Sequence, residues 1–182
     1  MLVIGYIRAT VFIGVLAAVG SALAQELRFI YFSVPGSDFV VAMPGNPRSV
    51  SDNTGPKGVI GRVYLSETSK AAFFVDYAFV PRGAIPDTVS PQQYLDRMVS
   101  TTSAKGKDGK ARNERRFDLA NAKAAEVILD MPVTPPQVVK VGLYVRRDRD
   151  GNMRTYQLTV SGNPGSETDP DVLRFFQSVK LD

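Results

Sequence analysis

The sequence predicts an α+β domain, a mainly antiparallel sheet with two helices packed on it. Three observations carry this expectation. Alternation with a period of two recurs in short segments, most clearly over Ala71–Val80. Turn dipeptides and prolines separate those segments at hairpin spacing, so that sequence neighbours pair antiparallel. Two stretches, opening at Ser90-Pro91 and at Asp169-Pro170, begin as helices do, with a capping side chain followed by proline at the first helical position.

Leu27–Val34 and Asp38–Met43 are short strands around Pro35-Gly36-Ser37, the second with Phe39, Val41 and Met43 on one side. Pro44-Gly45-Asn46-Pro47 stops it, because proline donates nothing to a ladder and glycine frees the turn. Residues 48–57 are polar, hold Ser, Asn and Pro, and read as loop. Val59–Glu67 and Ala71–Val80 form a hairpin across Thr68-Ser69-Lys70. In its second strand Phe73, Val75, Tyr77 and Phe79 share one face, and Phe74, Asp76 and Ala78 the other.

Ser90 is the expected N-cap of the first helix, with Gln93 completing a capping box and Tyr94, Leu95, Met98, Val99 and Thr102 forming its apolar stripe, fading near Ala104. Lys110–Leu119 reads as a charged strand, and Ala122–Met131 alternates with Val127, Leu129 and Met131 together. Val138–Arg147 and Met153–Ser161 form a hairpin around Asp150-Gly151. Tyr156, Leu158 and Val160 point one way, and Thr155, Gln157 and Thr159 mark the wetter face. The second helix carries Val172, Leu173 and Phe176 on one side, ends near Gln177, and is followed by a short terminal strand over Ser178–Leu181.

Composition narrows the chemistry. The chain of 182 residues has no His, no Cys and no Trp, and a formal charge of +4. A Ser-His-Asp triad, a thiol nucleophile, a zinc site of His or thiolate ligands and a disulfide are all excluded. No cofactor is expected.

The opening residues have the layout of a secretory signal peptide. Arg8 precedes an apolar run from Ala9 to Val19, and Ala22-Leu23-Ala24 supplies small residues at a cleavage site. Cleavage is expected between Ala24 and Gln25, which removes Arg8 and lowers the charge to +3. The apolar stretch is short for a span, which needs about 20 residues, so no stable membrane anchor is expected. This reading makes residues 1–24 a leader, residues 25–182 a single α+β domain, and the protein periplasmic or secreted.

Several segments resemble a known group. The stretch Asp38-Phe39-Val40-Val41-Ala42-Met43-Pro44-Gly45-Asn46-Pro47 resembles the F-x-V-x-x-P-G-x-P opening of exported bacterial domains of the PsbP-like, DcrB-like and Mog-type group. The close, Leu173-Arg174-Phe175-Phe176-Gln177-Ser178-Val179-Lys180-Leu181-Asp182, resembles their aromatic helix running into a final strand. Ser90–Ser103 lies where the group has its helix, and Met153–Ser161 where it has a Y-x-L-x-V strand. The group carries a glycine-rich turn before the strand that corresponds to Ala122–Met131, and this chain has Ala120-Asn121 instead. The resemblance implies an α/β/α sandwich and an accessory or binding role, with no shared active site to carry across.

Four constellations bear on function. Lys105, Lys107, Lys110, Arg112, Arg115 and Arg116 oppose only Asp108 and Glu114 and are the candidate contacts for an anionic partner, either an envelope protein or an anionic surface. The competing reading is a solvated hairpin whose charges block edge pairing. Nucleic acid is not expected, since no aromatics interleave with these charges as stacking platforms. Asp148–Asn152 fails as a calcium loop, because placing Gly151 at the sixth position puts Arg146 first and Gln157 twelfth. Phe73, Tyr77, Phe79, Tyr144 and Tyr156 fill a core or line an apolar pocket. Asp76 and Glu126 are the carboxylates from which a glycoside-hydrolase pair could be imagined. The expectation is therefore a non-enzymatic binding or accessory protein of the cell envelope. A carrier of a small apolar ligand or lipid, and less so a carboxylate hydrolase, are the alternatives.

Overall fold

Every strand of the fold pairs antiparallel with its neighbours, as the hairpin spacing demands. The computed structural model describes residues 28–181, so the expected leader and its cleavage site lie outside the described residues. The strands are β1 (Phe29–Ser33), β2 (Phe39–Pro44), β3 (Arg48–Thr54), β4 (Ile60–Glu67), β5 (Ala71–Val80), β6 (Asn113–Leu119), β7 (Ala122–Met131), β8 (Gln137–Arg147), β9 (Met153–Gly162) and β10 (Lys180–Leu181). Helix α1 spans Pro91–Ser103 and α2 spans Pro170–Gln177. No helix among the described residues is long and apolar enough to cross a membrane.

The large sheet has seven strands in the order β3-β4-β5-β9-β8-β7-β6, and β1-β2-β10 make a second, three-stranded sheet. One face of the large sheet carries Phe73, Val75, Tyr77, Tyr144, Tyr156, Leu158 and Val160. Those side chains bury against the small sheet, through Phe39, Val41 and Met43, and against α2, through Val172, Phe175 and Phe176. The opposite face carries Ala125, Val127, Leu129, Val141, Leu143 and Val145 and buries against Leu95 and Val99 of α1. The predicted α+β class with two packed helices is what the chain adopts.

Local chemistry explains where α1 begins. Ser90 Oγ accepts from the Gln93 amide at 3.2 Å, and Gln93 Oε1 accepts from the Ser90 amide at 2.9 Å, so two of the helix's orphan donors are satisfied reciprocally. In α2 the Asp169 carboxylate accepts from the Asp171 amide at 3.0 Å. The Asp148–Asn152 segment is a tight turn, with Gly151 at φ 86° and its amide bonded to the Asp148 carbonyl at 3.0 Å.

Four expectations are corrected. The polar stretch read as loop over residues 48–57 contains β3, which pairs along β4 from Arg48↔Leu65 to Thr54↔Ile60. An edge strand exposed on both faces needs no apolar alternation, so its pattern is silent. The α1 stripe is narrower than expected: Leu95, Val99 and Thr102 are buried, while Tyr94 and Met98 flank them half-buried. In α2 the buried set is Val172, Phe175 and Phe176, with Leu173 only half-buried. The β9 face expected to be wetter is polar but largely dry, since Thr155 and Thr159 are buried and Gln157 is half-buried.

Candidate functional site

The six basic candidates span the connection from α1 into β6. After the last helical carbonyls are closed, Gly106 leads into a turn at Lys107–Gly109, with Asp108 at φ 59° and Gly109 at φ 69°. That geometry lifts Lys107 and Lys110 into solvent at the tip, with Asp108 between them. A Cβ on Gly106 would lie 2.4 Å from the Lys110 carbonyl oxygen, so the turn closes only around glycine.

The other four candidates are engaged within the chain. Lys105 is half-buried, and its charge acts on Asp76 across the sheet surface. Arg112 bridges Asp130 at 3.2 Å and Glu167. Burial pushes the Glu167 carboxyl up, but hydrogen bonds from backbone amides and Arg112 outweigh it and hold it below its ordinary value. Arg115 pairs with Glu126 at 3.2 Å and lies over the Phe117 ring at 4.8 Å. Arg116 pairs with Glu114 at 2.7 Å and with Asp96 on α1. The structure thus gathers the six on one connection but directs three arginines into internal ion pairs. Among the described residues no ion pair engages Lys107 or Lys110.

The two carboxylates do not form a pair. Asp76 lies in the cross-strand row Asp76↔Gln157↔Leu143↔Ala125, on the α1 face. Glu126 lies in the row Val75↔Leu158↔Gly142↔Glu126, on the α2 face. Opposite faces of one sheet cannot address one glycosidic bond. Glu126 is instead held by Arg115 and by Lys140 at 3.7 Å, and the Lys140 ammonium sits 4.7 Å from the Phe176 ring centroid. Asp76 is only partly exposed, and burial lifts its carboxyl to about 7, with Lys105 pulling the other way.

The aromatic residues are core. Phe39 stacks on Tyr156 at 4.5 Å, Tyr156 stacks on Tyr77 at 5.4 Å, and Phe73 meets Phe175 edge-on at 5.4 Å. Phe79 is half-buried at the rim under Arg154, whose guanidinium lies 5.3 Å from its ring. Burial pushes Tyr156 up to about 12 and raises Tyr144 further. These side chains pack the space between the large sheet, the small sheet and α2. A cavity of ≈ 20 Å³ between Thr68, Phe73, Ser166 and Val172 has room for about one water. Among the described residues no three or more His, Cys, Asp or Glu side chains are grouped so as to hold a metal ion.

One constellation is invisible in the sequence pattern. The turn between β1 and β2 is seated on arginines of the large sheet. Asp38 accepts from the Tyr156 hydroxyl at 2.6 Å and pairs with Arg146, which also donates to Asn121 at 3.0 Å. Arg154 donates to the Tyr77 oxygen at 3.2 Å and to the Gly36 carbonyl at 3.3 Å, and Arg62 donates to the Pro35 carbonyl. Asp148 anchors Arg154 at 3.0 Å; burial pushes that carboxyl up, while bonds from Asn152 and Arg154 bring it below its ordinary value. The arrangement docks the small sheet to the large one by charge as well as by packing.

Comparison with solved structures finds this architecture in cyanobacterial PsbP (CyanoP) from Synechocystis sp. PCC 6803, at a TM-score of 0.52 and 16% identity, covering 93% of this chain and 99% of that one. The fold is PsbP-like. At this identity the likeness establishes architecture and carries no residue roles. No family model and no curated protein matches the chain.

Proposed function

We propose that this PsbP-like chain is a non-catalytic accessory or binding protein of the cell envelope, exported by its N-terminal leader and released between Ala24 and Gln25. The observation that carries the reading is the contrast between a closed interior and an open loop tip. Asp76 and Glu126 are held apart by the sheet, and the aromatic space is packed. Lys107 and Lys110 stand exposed on either side of Asp108, and among the described residues no ion pair engages them. A module that acts through its surface needs such a site, and the PsbP-like fold is compatible with that role. Grouping the chain with the DcrB-like and Mog-type domains belongs to the same proposal, on the strength of the Phe39–Pro47 and Leu173–Asp182 segments.

The partner is an acidic protein face or an anionic surface that meets the tip electrostatically. The test pairs two measurements. N-terminal sequencing of the exported protein should begin at Gln25, and a chain still beginning at Met1 would remove the leader from the proposal. Cross-linking in envelope extract should give an adduct with the wild type that is lost with Lys107→Glu/Lys110→Glu. An adduct unaffected by that charge reversal would move the contact elsewhere. These two lysines are the proper targets, since reversing Arg112 or Arg115 would also break internal pairs and confuse binding with folding.

A further inference from the structure

An open cleft of ≈ 360 Å³ lies where the chain leaves β5 and the β8–β9 turn closes. Arg82 and Asp87 line it from the loop before α1, and Arg147, Arg149 and Asp150 from the end of β8 and the turn. The cleft borders the residues that precede α1, whereas the Lys107–Lys110 tip follows the last turn of that helix. Helix α1 alone separates the two by about 20 Å.

Two arginines are fixed in this cleft by bonds that leave their charge uncancelled. Arg147 Nη1 donates to the Gly151 carbonyl at 2.7 Å and Nη2 to the Val89 carbonyl at 2.8 Å, so its guanidinium ties the turn to the segment before α1. The Arg82 amide donates to Asn152 Oδ1 at 3.0 Å, and its stem runs over Gly151, where a Cβ would come within 3.0 Å of Arg82 Cδ. Neutral acceptors orient these groups without neutralising them. Asp148 also lines the cleft, but Arg154 matches its carboxylate at 3.0 Å. The lining charges that remain are Arg82, Arg147 and Arg149 against Asp87 and Asp150, a positive excess.

Asp87 shows what the two arginines accept. One of its oxygens lies 3.4 Å from Arg82 Nη2 and the other 3.9 Å from Arg147 Nη1, so a carboxylate stands between the guanidiniums. Both distances exceed the roughly 2.7–2.9 Å of a close charge-assisted bond. The Asp87 side chain is also 63% exposed, which makes it a loosely held occupant. We propose that Arg82 and Arg147 form a receptor for a small oxyanion, a phosphate or carboxylate group of a soluble ligand, with Asp87 as its exchangeable internal occupant and Arg149 at the rim. Planar guanidinium forks match such oxygens in pairs. The ligand takes the place of Asp87 and seats closer to both arginines than that side chain does.

NMR titration of the isotope-labelled full chain with inorganic phosphate at constant ionic strength tests this, read on the amides of Arg82, Gly151 and Asn152. Saturable shifts should appear by about 10 mM phosphate. Asp87→Asn should tighten binding about threefold or more, because it removes a competitor held only by surface pairing. Arg82→Gln should weaken binding by a similar factor, in the wild type and in the Asp87→Asn background alike. Arg82 and Asp87 are 66% and 63% exposed, so both variants should fold, which far-UV circular dichroism checks. Lys107→Glu/Lys110→Glu changes the net charge more than either, yet should leave the constant unchanged, since the tip lies beyond the screening length of about 8 Å at physiological salt. Acetate in a parallel titration separates the two sources: tighter phosphate assigns a phosphorylated ligand, and tighter acetate a carboxylate one. The absence of saturable shifts in both wild type and Asp87→Asn would overturn the proposal. So would an affinity that Asp87→Asn leaves unchanged. An affinity that falls as far with the tip variant as with Arg82→Gln would also overturn it, and would mark the phosphate as a counter-ion of the whole surface.

Discussion

Asp76 sits midway along β5 between Val63 and Gln157, and the ionic charge that acts on it is that of Lys105. Burial lifts its carboxyl from 3.8 to about 7, against that attraction. The folded chain therefore keeps a proton on Asp76 that the unfolded chain has already released over the interval between those two values. Stability contributed by this proton is complete below the unfolded value, falls as pH rises through the window, and is lost above about 7. Ionising the group in the folded chain costs roughly 4 kcal/mol more than in the unfolded one, and partial exposure reduces this to about 2–4 kcal/mol. Asp76→Asn keeps the shape and removes the ionisation. Urea denaturation followed by circular dichroism should find the variant about 2–4 kcal/mol more stable than wild type at about pH 8 and nearly equal to it at about pH 4. Equal differences at both pH values would refute the reasoning, because a burial penalty on the ionised form must vanish when that form is absent.

Three further outcomes follow from packing and backbone geometry. Phe175→Ala empties a site of 0% exposure that touches the Phe73 and Phe176 rings, and should cost about 3–5 kcal/mol in chemical denaturation. Asp38→Ala removes the carboxylate facing the buried Arg146 and the acceptor of the Tyr156 hydroxyl, and should lower stability by about 3 kcal/mol or more. Ala120→Gly should raise the melting temperature and add about 0.5–1 kcal/mol, since Ala120 holds φ 51° in the two-residue β6–β7 loop, where glycine fits without strain.

What the sequence makes legible is whatever short-range chemistry decides. The Ser90–Gln93 capping box, the Asp150-Gly151 turn and the alternation of Phe73, Val75, Tyr77 and Phe79 each involve residues within a few positions of one another, and each forms as expected. The β3 strand escaped because an edge exposed on both faces imposes no apolar pattern, so Arg48–Thr54 keeps the composition of a loop. Thr155 and Thr159 read as polar in the sequence, yet in the middle of a wide sheet neighbouring side chains bury threonine whatever its hydroxyl. In α2 the expected stripe of Val172, Leu173 and Phe176 gives way to Val172, Phe175 and Phe176, because which arc of a short helix meets β2 and the large sheet is a tertiary matter.

The candidate site shows the same limit from the side of charge. Counted along the chain, Lys105–Arg116 is the densest basic run, and a count treats its six members as equivalent. Folding separates them by partners remote in sequence: Glu167 for Arg112, Glu126 for Arg115 and Asp96 for Arg116. Side chains in such pairs contribute little field beyond their immediate contacts, since each cation is matched by an adjacent anion and the remainder is screened by salt. The field available to steer a partner thus comes chiefly from Lys107 and Lys110, offset in part by Asp108. A partner recognised through this loop should be reached by the lysine tip. Its affinity should respond more steeply to Lys107→Glu/Lys110→Glu than to loss of any single arginine, whose removal acts first on the fold.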